Sequence, residues 1–410
     1  MAQHLVVLAV LLPMILGVMG DPRTSNITTV SVVQKYGYPI ETHKVTTNDG
    51  YILTMHRIPY SPNPNNTADE PSSEPKPVVF IQHGLLCSSI DWVMLGPKRA
   101  LALLLADEGF DVWLGNARGN TYSRQHINMD ADKDGKYWDF DWHEIGTIDL
   151  PTMLDYVREK TGVKKVVYIG HSQGTTAFLV LNSLNPDYNK YFESAHLLSP
   201  VAYMSHLTSP FVKYVAPLLG RPTLIGPMDL LGHYEFKPSK TLMNIVAAMM
   251  CDKKAHNYKL CSNALFLAAG FDSDTIDPSI IDDVMETGPA AASTKQFLHY
   301  MQEYNSGYFR EFDYGMARNL IKYRSTKPPN YPIGNIDVPL YLYYSDNDAL
   351  AAVEDVHQLI RELNCVQKAY RVPEANFDHL GQMYNPRIRD HVYDILKHNI
   401  HSNTATGRTI

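Results

Sequence analysis

Gly170-His171-Ser172-Gln173-Gly174 is the feature that most narrows what this chain can become. It follows a β-branched run, Lys165-Val166-Val167-Tyr168-Ile169, and precedes an apolar, helix-compatible run from Thr175 to Leu181. A serine between two glycines, entered from a strand and left by a helix, has the context of a nucleophile elbow. The glycines make room for a strained turn, and the turn lifts the Ser172 hydroxyl clear of the sheet. Without that context the pentapeptide would be a capped turn and nothing more. With it, the rest of the chain must supply a sheet beneath Ser172 and a base and an acid beside it.

The sheet is readable from the pattern. Glu41 to Thr47 and Tyr51 to Ile58 alternate and are joined at Asn48-Asp49-Gly50, a hairpin signal. A Pro/Asn/Ser-rich stretch from Pro59 to Pro77 reads as a surface loop. Val78 to Gln82 is a short strand ending at His83-Gly84, Leu101 to Glu108 is helical, and Asp111 to Leu114 is the next strand. A helix over Leu150 to Thr161 then leads into the elbow strand. Such alternation predicts a mostly parallel sheet with helices on both faces.

After a strand at Ala195 to Ser199 the rhythm breaks. From about Tyr203 to Asn335 the patterns are helical: Leu207, Phe211, Tyr214, Val215, Leu218 and Leu219 share one face. Leu242, Ile245, Val246, Met249 and Met250 share another. Alternation resumes in a buried strand at Val338 to Tyr344. The predicted class is α/β, with core segments 21–202 and 336–410 and a mainly helical cap or lid insertion at 203–335. That insertion would lie above the strand ends, where such sheets bind ligands. Its apolar faces are expected to pack cap on core, and a Met- and Leu-rich cap over a serine site favours an apolar substrate.

Residues 1–20 read as a secretory signal, with an apolar core from Leu5 to Val18 and a cleavage position before Asp21. No later stretch reaches the ~18 uninterrupted apolar residues of a membrane span. A formal charge of −7 gives no basic footprint, so nucleic acid is not an expected partner. In an exported chain, Cys251 and Cys261 leave a local disulfide open, while Cys87 and Cys365 read as buried thiols, with a second bridge not excluded. Asn26-Ile27-Thr28 and Asn65-Asn66-Thr67 are glycosylation sequons, meaningful only after export.

A serine hydroxyl is a poor nucleophile unless a histidine takes its proton and a carboxylate orients that histidine. In hydrolases of this architecture the chain order is serine, acid, histidine. Two late loops follow strands, as the geometry requires: Ser345-Asp346-Asn347-Asp348 and Asn376-Phe377-Asp378-His379. Asp348 is the candidate acid, with Asp346 the fallback, and His379 is the candidate base. Asp378 is less suited because its neighbour in sequence is the histidine itself. His391 and His398 fall in a helical pattern and read as surface residues. For the oxyanion, the candidate donors are the backbone N–H groups of Leu85 and Gln173. His83 and His171, both in tight turns, read as groups that orient loops.

Taken together these residues resemble the acid lipase family, which includes gastric and lysosomal acid lipases and insect gut members. The likeness runs over nearly the whole mature chain. It is carried by His83-Gly84-Leu85-Leu86, Asp111-Val112-Trp113-Leu114-Gly115-Asn116, Arg118-Gly119-Asn120, Trp142-His143-Glu144 and Asp149-Leu150-Pro151. The elbow through Thr175, Cys261 to Phe266, and Gly270-Phe271-Asp272 extend it. The resemblance implies an α/β-hydrolase fold, a Ser172–His379–Asp348 triad, an oxyanion hole at Leu85 and Gln173, and a Cys251–Cys261 cap disulfide. It also implies hydrolysis of triacylglycerols, and in some members cholesteryl esters, without metal or cofactor, beneath a movable lid and often in acid. Two departures stand out: Pro289-Ala290-Ala291-Ala292-Ser293 where relatives show Pro-Ala-Gly-Thr-Ser, and Cys87 beside the oxyanion loop. An acid optimum rests on the resemblance alone, since a carboxylate partner favours the charged imidazole and the base must be neutral.

The function expected is therefore a secreted or lysosomal serine lipase acting on fatty-acid esters at an oil–water or membrane interface. A small-ester carboxylesterase and a non-catalytic lipid-binding or storage protein are the alternatives. The apolar insertion argues against the first and the complete residue set against the second.

Overall fold

Why strands, and why these strands, follows from where their side chains go. A computed structural model describes residues 25–62, 76–222, 234–236, 269 and 276–407. Its central sheet runs through Glu41–Thr46 (β1), Tyr51–Ile58 (β2), Val78–Gln82 (β3), Asp111–Gly115 (β4) and Gln125–His126 (β5). It continues through Val166–His171 (β6), Phe192–Leu198 (β7), Leu340–Tyr344 (β8) and Val366–Arg371 (β9). The spatial order is β1-β2-β4-β3-β6-β7-β8-β9, with β5 paired to β2. The pairs from β4 through β9 are parallel, and the β1–β2 hairpin joins β4 antiparallel.

β3, β4 and β6 are buried along their whole length, as parallel strands covered on both faces must be. Their alternation feeds two cores. Val79, Ile81, Val112, Leu114, Val167 and Ile169 enter one, with the helix Leu101–Asp107 and the C-terminal residues Ile388, Val392 and Leu396. Val78, Phe80, Trp113, Val166 and Tyr168 enter the other, against the helices Leu150–Thr161 and Gln173–Leu184. The edge strand β1 instead alternates with exposed residues, β9 is largely exposed, and Lys368 and Arg371 mark the β9 edge as charged.

Several boundaries differ from the sequence reading for local reasons. β7 begins at Phe192 and stops at Leu198, because Ser199 takes φ +47° and leaves the strand. β8 begins after Pro339, which has no N–H to give a ladder. Among the described residues, the regular elements between β7 and β8 are helices, with isolated bridges at Glu235–Ser293 and Arg310–Asn330. The apolar face drawn through Leu207 and Tyr214 needs correction. The helix is Pro210–Leu219, capped by Ser209, so Leu207 lies before it, buried separately, and Tyr214 is 72% exposed. Val215, Ala216 and Leu219 are its buried residues. The second face, Leu242 to Met250, lies outside the described residues, as do residues 1–20, Asn65, Cys251 and Cys261. Asn26 is exposed. Among the described residues no helix is long and apolar enough to cross a membrane.

Candidate active site

The elbow is built by close approach. Ser172 sits at φ +52°, ψ −118°, between the last residue of β6 and the first of the helix Gln173–Leu184. A non-glycine residue held there stores about 1–3 kcal/mol, which its surroundings must over-determine. A Cβ on Gly174 would lie 2.5 Å from the Gln82 carbonyl oxygen, and one on Gly170 would lie 2.8 Å from the Gly174 carbonyl carbon. Both glycines are thus required by space, not by a left-handed φ. The turn is pinned by Ser172 N–H on Leu198 O (3.0 Å), Thr175 Oγ1 on Ser172 O (2.6 Å) and Tyr168 O–H on Gly174 O (2.7 Å).

Above that turn the late loops converge. His379 Nε2 is 2.8 Å from Ser172 Oγ, and its Nδ1 is 2.9 Å from each oxygen of Asp348. Asp348 Oδ1 also accepts from Leu350 N–H (2.9 Å) and Ala351 N–H (2.8 Å), which fixes the carboxylate edge toward the ring. Burial pushes the Asp348 carboxyl up, but His379 and the Ala351 N–H outweigh it and hold the group at about 2. Asp346 is elsewhere, in an exposed ion pair with Arg371. Asp378 points away from its neighbour's ring and accepts from Gly381 N–H (2.6 Å), tying the loop that follows His379. His391 pairs with Glu374 at 2.9 Å and His398 is exposed.

The N–H of Gln173 heads its helix and has no intrahelical acceptor. Neither it nor the Leu85 N–H donates to a protein acceptor among the described residues. Leu85 follows Gly84, where a Cβ would come within 3.0 Å of the Ser172 Cβ, so that loop lies directly against the serine. An apolar pocket opens over Ser172 and His379. Leu85, Leu86, Val201, Met204, Phe211, Val212, Phe297 and Met301 give it an apolar wall, to which Tyr300 and Leu350 add. Cys87 lies in the same wall as a buried thiol, and burial raises it well above its ordinary range. Cys365 is also buried and free, away from this wall.

The turn histidines orient. Burial pushes His83 down to about 4 and His171 to about 3, so both stay neutral. His83 Nε2 accepts from Ala117 N–H (3.1 Å) while its Nδ1 faces Gly84 O (2.8 Å). His171 Nε2 donates to the carbonyl of His379 (3.0 Å), so the elbow holds the base by its backbone. Sequence reading placed His171 in a tight turn but gave no sign of this partner.

Asp91 is a second positioning residue that the sequence did not reveal. It accepts from Ser88 N–H (2.6 Å), behind Leu85, and from the Tyr384 hydroxyl, behind His379, so one carboxyl braces both loops. Burial raises it to about 6. In the interval above the ordinary carboxyl range the folded protein keeps a proton that the unfolded chain has lost. This contribution is therefore complete below about pH 4 and lost as pH rises through about 6, a swing of about 3 kcal/mol. Asp91→Asn should gain about 2 kcal/mol relative to the parent between about pH 4.5 and about pH 7.5 in chemical denaturation. A stability difference that does not move with pH would refute the assignment.

The remaining motif residues hold the frame. Arg118, buried, binds Asp149 through Nε (2.8 Å) and Asp49 through a terminal nitrogen (2.6 Å) while lying 4.1 Å from the Tyr51 ring centroid. Trp142 stacks on His299 at 3.7 Å, and His299 Nδ1 meets Asp141 Oδ1 at 2.9 Å, which locks the helix Thr294–Ser306 against the Asp141–Trp142 segment. Ala290 and Ala292 of the departing alanine run are buried, and Ala290 N–H donates to Leu86 O (2.8 Å). Among the described residues no group of three His, Cys, Asp or Glu side chains could hold a metal ion.

Comparison with known proteins adds the family. The model for a partial alpha/beta-hydrolase lipase region matches residues 29–96, and that for the alpha/beta hydrolase fold matches residues 77–218. Lipase 3 of Drosophila melanogaster is 45% identical over 89% of this chain and 91% of its own. The chain belongs to the α/β-hydrolase lipase family. Gastric triacylglycerol lipase of Bos taurus, another relative, is 35% identical over 92% of both chains. An acetylester hydrolase from Corynebacterium glutamicum, at 13% identity and a TM-score of 0.50 over 89% of this chain, shares the fold. Like these lipase relatives, the family member described here is a carboxylic ester hydrolase.

Proposed function

We propose that this lipase hydrolyses carboxylic esters of fatty acids, triacylglycerols first among them, through an acyl-enzyme on Ser172. The observation that carries the proposal is the unbroken hydrogen-bonded chain from Ser172 to His379 to Asp348 at the floor of an apolar cavity. As His379 Nε2 takes the hydroxyl proton, Ser172 Oγ bonds to the ester carbonyl carbon. Asp348 holds the ring in the tautomer with Nδ1–H and offsets the charge that forms on it. The carbonyl oxygen, now an oxyanion, is received by the N–H groups of Leu85 and Gln173, the latter at the positive end of a helix. Nε2 returns its proton to the leaving alcohol as the C–O bond breaks. Water then attacks the acyl-serine with the same base, and the fatty acid leaves with Ser172 restored.

The insertion acts as a cap whose Phe211, Val212, Phe297 and Met301 side chains give an acyl chain an apolar sleeve and keep bulk water from the reacting carbonyl. Export to a secreted or lysosomal setting fits the apolar leader at residues 1–20, and the exposed Asn26 can carry a glycan. A fluorophosphonate should label the protein once, on the peptide bearing Ser172. Turnover of emulsified triolein should accompany turnover of soluble butyrate esters. Exclusive use of the soluble esters would favour a carboxylesterase, and a folded protein that takes no label would point to a lipid-binding role.

A further inference from the structure

The helix Met316–Tyr323 is built inside out. Its buried residue is polar: Asn319 is wholly inaccessible, donates to Asp313 Oδ1 (2.7 Å) and Thr326 O (3.1 Å), and accepts from Tyr314 N–H (2.9 Å). Its large apolar residues face out, with Met316 71%, Leu320 55% and Ile321 85% exposed. An amphipathic helix on a water-soluble surface has the opposite arrangement. At ~100° per residue the three span an arc of about 140°, which Ala317 fills. None of them belongs to an apolar cluster among the described residues. The orientation is fixed at both ends, by Gly315 at φ +84° and Arg324 at φ +57°, and by Tyr323 O–H on Phe312 O (2.9 Å).

Charge says what such a face meets. Residues 316–327 carry Arg318, Lys322, Arg324 and Lys327 and no acid, in a chain of net charge −7. All four cations are exposed residues; Arg318 borders the apolar arc, Lys322 lies beyond it with its ammonium on the Tyr314 hydroxyl (3.2 Å), and Arg324 and Lys327 follow the helix. Gly315, at the start of the segment, lies near Pro222, just beyond the C-terminal end of the helix Pro210–Leu219, whose other end lends Phe211 and Val212 to the cavity. An apolar wedge rimmed by Lys and Arg is the chemistry that seats a helix in the headgroup layer of an anionic lipid surface.

We propose that Met316–Tyr323 is a docking element that seats the enzyme on anionic lipid surfaces. The proposal rests on the lipid-ester reading of the site, whose products are themselves anionic fatty acids. One short helix gives a small buried area, so binding depends on charge and is reversible and salt-sensitive.

The test uses vesicles of diether phospholipids, which the enzyme cannot hydrolyse, so that binding is read apart from turnover. The full chain should sediment with phosphatidylcholine vesicles containing phosphatidylserine at least about tenfold better than with phosphatidylcholine alone, and raised salt should narrow the gap. Leu320→Glu with Ile321→Glu, and separately Lys322→Glu with Lys327→Glu, should each lower that partitioning at least about tenfold. Both variants should keep kcat/KM on a dissolved butyrate ester, which shows an intact fold and site. Binding that both variants retain would overturn the proposal, as would equal, salt-insensitive binding to the two vesicle types. A concentration-dependent dimer abolished by the first variant would assign the face to a second copy of this chain instead. Loss of butyrate turnover in the parent would count against the proposed catalytic chemistry and leave the vesicle result standing.

Discussion

Ser172→Ala is expected to lower ester hydrolysis by at least about 10⁴-fold, with binding and the two amide donors accounting for any residue of activity. Among the described residues the hydroxyl has one partner, His379 Nε2, and that nitrogen faces the cavity, so its loss leaves no buried donor stranded. Alanine meets the same φ of +52° that serine does, and the bonds that pin the turn are made by the Ser172 backbone and by Tyr168 and Thr175. The melting temperature should therefore stay within a few degrees of the parent's, corresponding to less than about 1 kcal/mol. Rates on a soluble ester beside a thermal melt decide it: substantial turnover in a folded Ser172→Ala protein would remove serine from the mechanism.

Asp348→Asn should lower kcat by about 10⁴-fold while leaving the backbone where it is. Asparagine can keep its carbonyl oxygen on the Leu350 and Ala351 amides, as Asp348 Oδ1 does now. Its NH₂ then faces His379 Nδ1, which must accept, and the ring takes the tautomer with a proton on Nε2. That nitrogen can donate to Ser172 Oγ but no longer take its proton. The carboxylate also contributes to folding, since it is held at about 2 against an ordinary value of 3.8. A depressed carboxyl stabilises above its unfolded pKa, so the parent should hold an advantage of about 2 kcal/mol near neutrality. That advantage should be lost as pH falls toward about 2, as followed by denaturation across the acid range. Unchanged kcat in Asp348→Asn would hand the orienting role to another carboxylate.

The readable parts of this chain are those whose cause is local. A β-branched run between glycines and a helix-forming run sets β6, the turn and the helix after it within a short window, and the loops bearing Asp348 and His379 follow short strand-forming runs. The reading faltered where a boundary depends on one backbone angle, as at Ser199, or on a cap, as at Ser209 before Pro210. Leu207 and Tyr214 fell on a helical wheel, but the wheel does not show where the helix starts. The positioning residues were beyond reach for a different reason. His171 meets a carbonyl 208 residues away, and Asp91 meets a hydroxyl 293 residues away, so no window of sequence holds both partners. Arg118 and Asp149 were noticed as motif residues, yet only their ion pair explains why they are there.

The bond from Ala290 to the Leu86 carbonyl has a consequence for kinetics. It ties the Pro289 to Ser293 segment to the peptide next to a proposed oxyanion donor, so that segment and the loop against Ser172 share one mechanical joint. Substitutions around Pro289 to Ser293, though remote from Ser172 in sequence, should register as slower acyl transfer on every ester, large or small. A change confined to substrate fit would spare the smallest ones.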